Sequence, residues 1–220
     1  MSLTLEQVKR NEEVRAYIQK ADESLIVLGY TEHSFAHVTK TAVTAARILR
    51  EVGRDEHQQE LAAVAGYMHD IGNVVNRNGH ERSGALMAFD LLREMGARPD
   101  EIAAVITAIG HHDEGTAFPV SDIAAALIIA DKTDVRRSRV RNKDTITFDI
   151  HDRVNYAVEK NELVIDGAAG EIALKLVIDT KVCPISEYFE IFLTRMLLCR
   201  KAAERLMMRF SLEINGQVMM

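Results

Sequence analysis

Of the eight histidines in this chain of 220 residues, all but His151 lie between residues 33 and 112. Imidazole both moves protons near neutral pH and ligates transition metals, so such clustering invites a metal reading. Three of these histidines are followed by aspartate: His69-Asp70, His112-Asp113 and His151-Asp152. The first pair lies behind the apolar run Leu61 to Met68 and ahead of the flexible Ile71-Gly72. A carboxylate at the mouth of a core is costly unless it is paired or coordinated, so Asp70 needs a partner. Adjacent His and Asp side chains reach one ion only where a helix ends and the backbone can turn. A hydrogen bond capping the helix is the alternative, and the dipeptide alone leaves both open.

The elements that must carry these groups are helical. Apolar positions at helical spacing predict a first helix from Thr4 to about Gly29, with Leu5, Val8, Tyr17, Ile18, Ala21, Leu25 and Leu28 on one face. Further helices follow at Ser34–Val52, Glu56–His69, Arg82–Met95 and Pro99–Gly110, with Gly53 and Gly96 as stops and Pro99-Asp100-Glu101 as a start. The apolar run Ile123 to Ala130 fits strand or helix by length, and its four alanines favour helix. Beyond residue 143 the texture changes. Ile146, Phe148 and Ile150 alternate with polar residues, and Leu163–Ile165 and Ile172–Ile178 read as strands around the turn Asp166 to Gly170. Ser186–Met208 returns to helical spacing, and Phe210, Leu212 and Ile214 alternate again before Asn215-Gly216. The fold class expected is therefore mainly α, with a helical bundle over 1–143 and a small α+β appendage of hairpin, helix and strand over 144–220.

Composition narrows the function. Hydrophobic residues are 47% and charged residues 27%, with only 3 Pro and 12 Gly, which excludes disorder and many-stranded sandwiches. The net charge of −6 gives no general grip on nucleic acid or anionic membranes. No apolar run approaches bilayer length and no signal peptide opens the chain, so a cytoplasmic protein is expected. Cys183 and Cys199 lack any C-x-x-C spacing and read as buried thiols, and the methionines near the end read as core filler.

His37-x-x-Lys40, Met68-His-Asp-Ile-Gly72, His80-x-x-x-Gly84, His111-His112 and Ile129-Ala-Asp131 occur in that order over about residues 30–140. This pattern resembles the HD-domain superfamily of metal-dependent phosphohydrolases, whose signature is a single His, then His-Asp, then a distant Asp. The resemblance implies an HD-domain helical bundle in which His37, His69, Asp70 and Asp131 hold a first metal and Asp70 bridges to a second. His80, His111 and His112 match the extra histidines of a binuclear branch that includes the HD-GYP phosphodiesterases. Fe, Mn, Zn and Ni all suit such ligands, as one ion or two. His33, one turn before His37, reads as a ligand, a partner to a ligand or a helix cap, with the partner favoured. Two features depart from HD-GYP members: Asn73 stands where they carry lysine, and Ala117-Phe118-Pro119 stands for Gly-Tyr-Pro.

The implied activity is hydrolysis of a phosphate ester of a small molecule, a nucleotide above all, by metal-activated water. Asp70, His80 and His112 are the candidate proton-handling residues. After Asp131 come Lys132, Arg136, Arg137, Arg139, Arg141 and Lys143, read as a solvated helix face or a phosphate grip, with Lys132 and Arg136 the candidates nearest phosphate. His151, in the appendage, is expected to matter little. The Phe-, Leu- and Met-rich appendage fits a homodimer interface or burial within one chain. A rival function is a metal-containing module that senses a nucleotide without turning it over.

Overall fold

The computed structural model describes residues 2–141 and 149–220. Where hydrophobic period predicted one opening helix there are two, α1 (Leu5–Arg10) and α2 (Glu12–Val27). The break is Asn11, whose backbone is extended and whose side chain accepts from the Val14 amide, capping α2. Buried Val8 and Val14 flank the break, so the apolar spacing carries no record of it.

The next four helices follow their start and stop signals: α3 (Phe35–Glu51) behind Ser34, α4 (Glu56–Met68) behind Asp55, α5 (His80–Glu94) and α6 (Pro99–Gly110). α5 starts two residues before the expected Arg82, on Gly79 at φ 75°. The alanine-rich run is helical, as α7 (Asp122–Lys132). Every residue of Leu61–Met68 in α4 and Ile123–Ala130 in α7 is buried, which makes these two helices the centre of the bundle. α3, α6 and α7 pack on α4, and a 3₁₀ turn (Ile71–Val74) lies against α2 and α5. Gly72 is what lets that turn touch α5: a Cβ there would lie 2.0 Å from the His80 carbonyl oxygen and 2.5 Å from the Gly84 nitrogen.

In the appendage the alternation at Ile146, Phe148 and Ile150 does not give a strand at its described end. Ile150 begins α8 (Ile150–Ala157), started by Asp149, whose carboxylate accepts from the His151 and Asp152 amides. Ile146 and Phe148 lie outside the described residues. β1 (Val158–Asp166) and β2 (Glu171–Ile178) form the expected antiparallel hairpin. α9 (Ile185–Arg205) then crosses back, so that β3 (Arg209–Ile214) pairs parallel with β2, as a crossover helix permits, and β4 (Gln217–Val218) closes the sheet in the order β1-β2-β3-β4. The protein is thus mainly α with a small C-terminal sheet. One apolar cluster runs from Leu3 to Ile214 and includes Phe192, Met196, Met208 and the free thiols of Cys183 and Cys199. No helix among the described residues is long and apolar enough to cross a membrane.

Candidate metal centre

Helix ends supply the converging donors. His37 lies in the first turn of α3, His69 caps α4, Asp70 follows on the 3₁₀ turn, His80 opens α5, His112 follows α6, and Asp131 ends α7. The turn after Met68 is what aims the neighbours His69 and Asp70 at the same point. His37 Nε2 lies 3.3 Å from Asp131 Oδ1 and 3.7 Å from Asp70 Oδ2; His69 Nε2 lies 3.3 Å from Asp70 Oδ2 and 3.7 Å from Asp131 Oδ1. Such spacings suit four atoms that share one ion at bond lengths of about 2.0–2.2 Å. The other oxygen, Asp70 Oδ1, faces His80 Nε2 at 3.4 Å, and His80 Nε2 is 3.2 Å from His112 Nε2. Asp70 therefore stands between two donor sets.

The outward nitrogen of each ring is engaged. His37 Nδ1–H donates to Asp134 Oδ2 at 2.8 Å, His69 Nδ1–H to the Gly66 carbonyl at 2.8 Å, His80 Nδ1–H to the Arg77 carbonyl at 3.1 Å, and His112 Nδ1–H to the Ile109 carbonyl at 2.6 Å. With Nδ1 so occupied, each ring in its neutral form turns an Nε2 lone pair inward, the arrangement of metal-ligating histidines. Nε2 of His37 and of His69 are buried and have no hydrogen-bond partner. An unmet buried polar atom costs about 1–3 kcal/mol, and a shared cation offsets that cost.

The electrostatics agree. Burial works against the charged form of Asp70, yet His69 beside it holds the carboxyl well below the usual carboxylate range. Asp131 is likewise held low against its burial, by Lys132, His37 and His69. Burial alone would depress His69, but Asp70 and Asp131 carry it up to about 10. Burial keeps His80 and His112 below the ordinary imidazole value, hence neutral. Two buried ionised carboxylates beside the neutral rings of His80 and His112 form a donor set for a divalent transition metal, and the pull on His69, which draws a proton where no ion is bound, marks where positive charge is wanted.

Of the residues singled out from sequence, His37, His69, Asp70, His80, His112 and Asp131 meet here. His111 does not join them; its Nδ1–H is donated to the Thr107 carbonyl at 2.9 Å. His33 stands edge-on to His37 with ring centroids 5.5 Å apart and gives its Nδ1–H to the Thr31 carbonyl. Asp134, which the sequence reading passed over, is the buried partner of His37 and also takes Lys40 Nζ at 2.7 Å. The i,i+3 spacing of His37 with Lys40 and of Asp131 with Asp134 is the only trace of it in sequence.

A cavity of about 370 Å³ opens over the centre. Arg77, Lys132, Arg139 and Arg195 line it together with Asp70 and His80. Lys132 is buried, its Nζ 2.7 Å from Asp131 Oδ2. Arg136 is not on the wall; it is held by Glu32 at 2.8 Å and by Asp134 at 3.0 Å. The basic run forms no solvated helix face: Arg137 stacks on Tyr156, Arg141 pairs with Asp22, and Lys143 lies outside the described residues. The appendage supplies the facing wall through His151, Asp152, Asn155, Phe192 and Arg195. His151 thus lies at the site's rim, because α8, where alternation predicts Ile150 extended, is a helix that borders the cavity.

A model of the HD domain family matches residues 34–136. An uncharacterised protein of Methanocaldococcus jannaschii is 25% identical over 177 residues, covering 70% of this chain and 68% of that protein. Ribonuclease Y of Cutibacterium acnes is 30% identical over 147 residues, 60% of this chain and only 26% of the ribonuclease. The crystal structure of a predicted HD superfamily hydrolase from an uncultured Thermotogales bacterium aligns with a TM-score of 0.46 at 23% identity, over 60% of this chain and 73% of that one.

Proposed function

The chain belongs to the HD-domain superfamily through residues 34–136, and from that premise we propose that it is a metal-dependent phosphohydrolase acting on a nucleotide or similar small phosphate ester. The observation that carries this reading is the inward set of Nε2 and carboxylate atoms, two of them buried without partners, beneath a cavity lined by four cationic side chains. His37, His69, Asp70 and Asp131 would hold one ion, and Asp70, His80 and His112 a second. A divalent ion bound there supplies Lewis acidity toward phosphoryl oxygens and brings the pKa of a water towards neutrality.

The chain's own residues do the rest. Lys132, Arg139 and Arg195 receive the phosphoryl oxygens and set the ester over Asp70. The Asp70 carboxylate, or Nε2 of His80 or His112 where that nitrogen ligates no ion, accepts the proton of the attacking water. Tyr30, Phe192 and Asn155 on the same wall suit a base or sugar, with residues 1–143 as the catalytic domain and 144–220 as the unit that completes its cavity. The likeness to a protein named as a ribonuclease brings phosphodiesters into the test.

The test is phosphate or nucleoside release from a panel of nucleotides, cyclic nucleotides, dinucleotides and simple esters with manganese, iron or nickel supplied, and with Asp70→Ala as blank. Turnover that vanishes in the blank supports the reading. Silence across the panel with metal still bound would replace it by a sensing module.

A further inference from the structure

A group from the chain itself already occupies the outer donor set. Arg77 Nη1 lies 3.2 Å from His80 Nε2, 3.3 Å from Asn73 Oδ1 and 3.9 Å from Asp70 Oδ1. Asn73 brackets the two ends of this contact, donating Nδ2 to Asp70 Oδ1 at 2.9 Å while its oxygen accepts from Arg77. The Tyr30 ring covers the guanidinium, 5.6 Å from its centroid.

The need for a cation here follows from the rings. His80 and His112 both donate Nδ1–H to carbonyls, so their Nε2 lone pairs face each other at 3.2 Å. Two lone pairs at that distance require a donor or a cation between or beside them, and Arg77 gives an N–H to one of them. A guanidinium is always charged and has no lone pair, so it satisfies the carboxylate and the imidazole but ligates no ion. A divalent ion placed among Asp70 Oδ1, His80 and His112 would meet this positive charge at contact distance. Arg77 sits between the 3₁₀ turn and α5 with its side chain 29% exposed, so it can leave for the cavity without unpacking the core.

We propose that Arg77 is the resident occupant of the second cation position. The chain then holds one divalent ion tightly at His37, His69, Asp70 and Asp131, and admits a second at Asp70, His80 and His112 only when Arg77 is displaced. This inference rests on the metal-centre reading above. It makes the number of bound ions a property set by one side chain that is not itself a ligand.

The experiment titrates metal-free full-length chain with manganese(II), counts bound ions by elemental analysis after gel filtration, and looks for exchange coupling by electron paramagnetic resonance. Wild type is expected to hold one ion tightly, with the second weaker by roughly a hundredfold. Arg77→Gln should bring the second ion into the range of the first and show a coupled spectrum, and His80→Ala in that background should remove it again. Arg77→Lys, which keeps the charge, should stay closer to wild type than Arg77→Gln. Two ions of similar affinity in wild type, or an Arg77→Gln protein with unchanged second-ion affinity, would overturn the proposal. A wild type that binds no manganese, matching Asp70→Ala, would instead bring down the metal-centre reading beneath it.

Discussion

Residues 37–134 and residues 149–195 face the same cavity but are held in opposite ways. In the first region each inward imidazole is fixed from behind by a carbonyl or by Asp134, and the donors come from helix ends packed around α4 and α7. In the second, the cavity face includes side-chain tips: the exposed His151 ring, and the partly exposed Arg195, laid over Phe192 at 4.5 Å and paired with Glu114. Preorganised donors suit chemistry that tolerates little displacement, and exposed tips suit recognition that varies with the ligand. Changes at the donors of the first region and at the groups that fix them should therefore cost metal and stability, and changes in the second should cost substrate affinity alone.

The largest effect is expected from Asp70→Ala, which removes a carboxylate common to both donor sets. Metal content should fall to background and phosphate release should vanish, checked by elemental analysis on the same sample as the assay. Normal metal content in this variant would end the division drawn here.

Next are two changes that touch no ion. Asp134→Asn weakens the hold on His37 and unbalances Lys40, Arg136 and Arg139, so metal affinity should fall about 10–100-fold and stability by about 3 kcal/mol. Although burial opposes it, the hydrogen bond from His37 holds the Asp134 carboxyl far below its ordinary value. Its stabilising contribution is thus complete above the unfolded pKa of about 3.9 and is lost as pH falls below that. Urea unfolding from pH 7 to pH 3 should show a shallower acid loss in the Asn variant. Gly72→Ala must push the turn off the His80 carbonyl, costing about 3 kcal/mol and moving His80, whereas at Gly84 the nearest atom to an added Cβ is 3.3 Å away and the cost should stay below about 1 kcal/mol. Equal melting temperatures for the two alanine variants would refute the close approach.

The same division separates what could be read in the sequence from what could not. His69-Asp70 behind an apolar helix, Pro99, Gly53 and the alanine run of α7 are local signals, and each helix they mark is present. His37, His80, His112 and Asp131 could be singled out through the resemblance of their order and local contexts to the HD-domain pattern, which also singled out His111, whose ring is held instead by the Thr107 carbonyl. Asp134 could not, because its role depends on a contact with His37 across 97 residues. Arg77 is an ordinary surface type whose place on the wall is decided by packing, and packing likewise decides that Lys132 and Arg139 of the basic run reach the wall and Arg136 does not. At Asn11 and at Ile150 a side-chain cap overrode the apolar period, which is blind to caps. The appendage's wall carries no motif, since what it contributes is shape.

A smaller effect is expected at that wall. Arg195→Ala should leave manganese binding intact while raising KM about tenfold, the worth of one charge-assisted hydrogen bond to phosphate. Its partner Glu114 lies 3.8 Å from Lys132 Nζ and remains neutralised by it. A fall in kcat at unchanged KM would move Arg195 from binding the ester to the chemical step.

The smallest effect, and the sharpest discrimination, belongs to His151→Ala. Both His69 and His151 precede an aspartate, and both line or underlie the same cavity. The His69 side chain is 1% exposed and bounded by two carboxylates. The His151 side chain is 56% exposed, with Asp149 Oδ1 3.6 Å away. An exposed ring with one solvated neighbour gains little from any fixed contact, so its loss should change KM by no more than about threefold and leave metal content alone. His69→Ala in parallel should abolish metal binding. If His151→Ala also releases the ion, the rim is part of the centre, and the contrast between a fixed floor and an adaptable wall fails at the residue where the two are closest in sequence type.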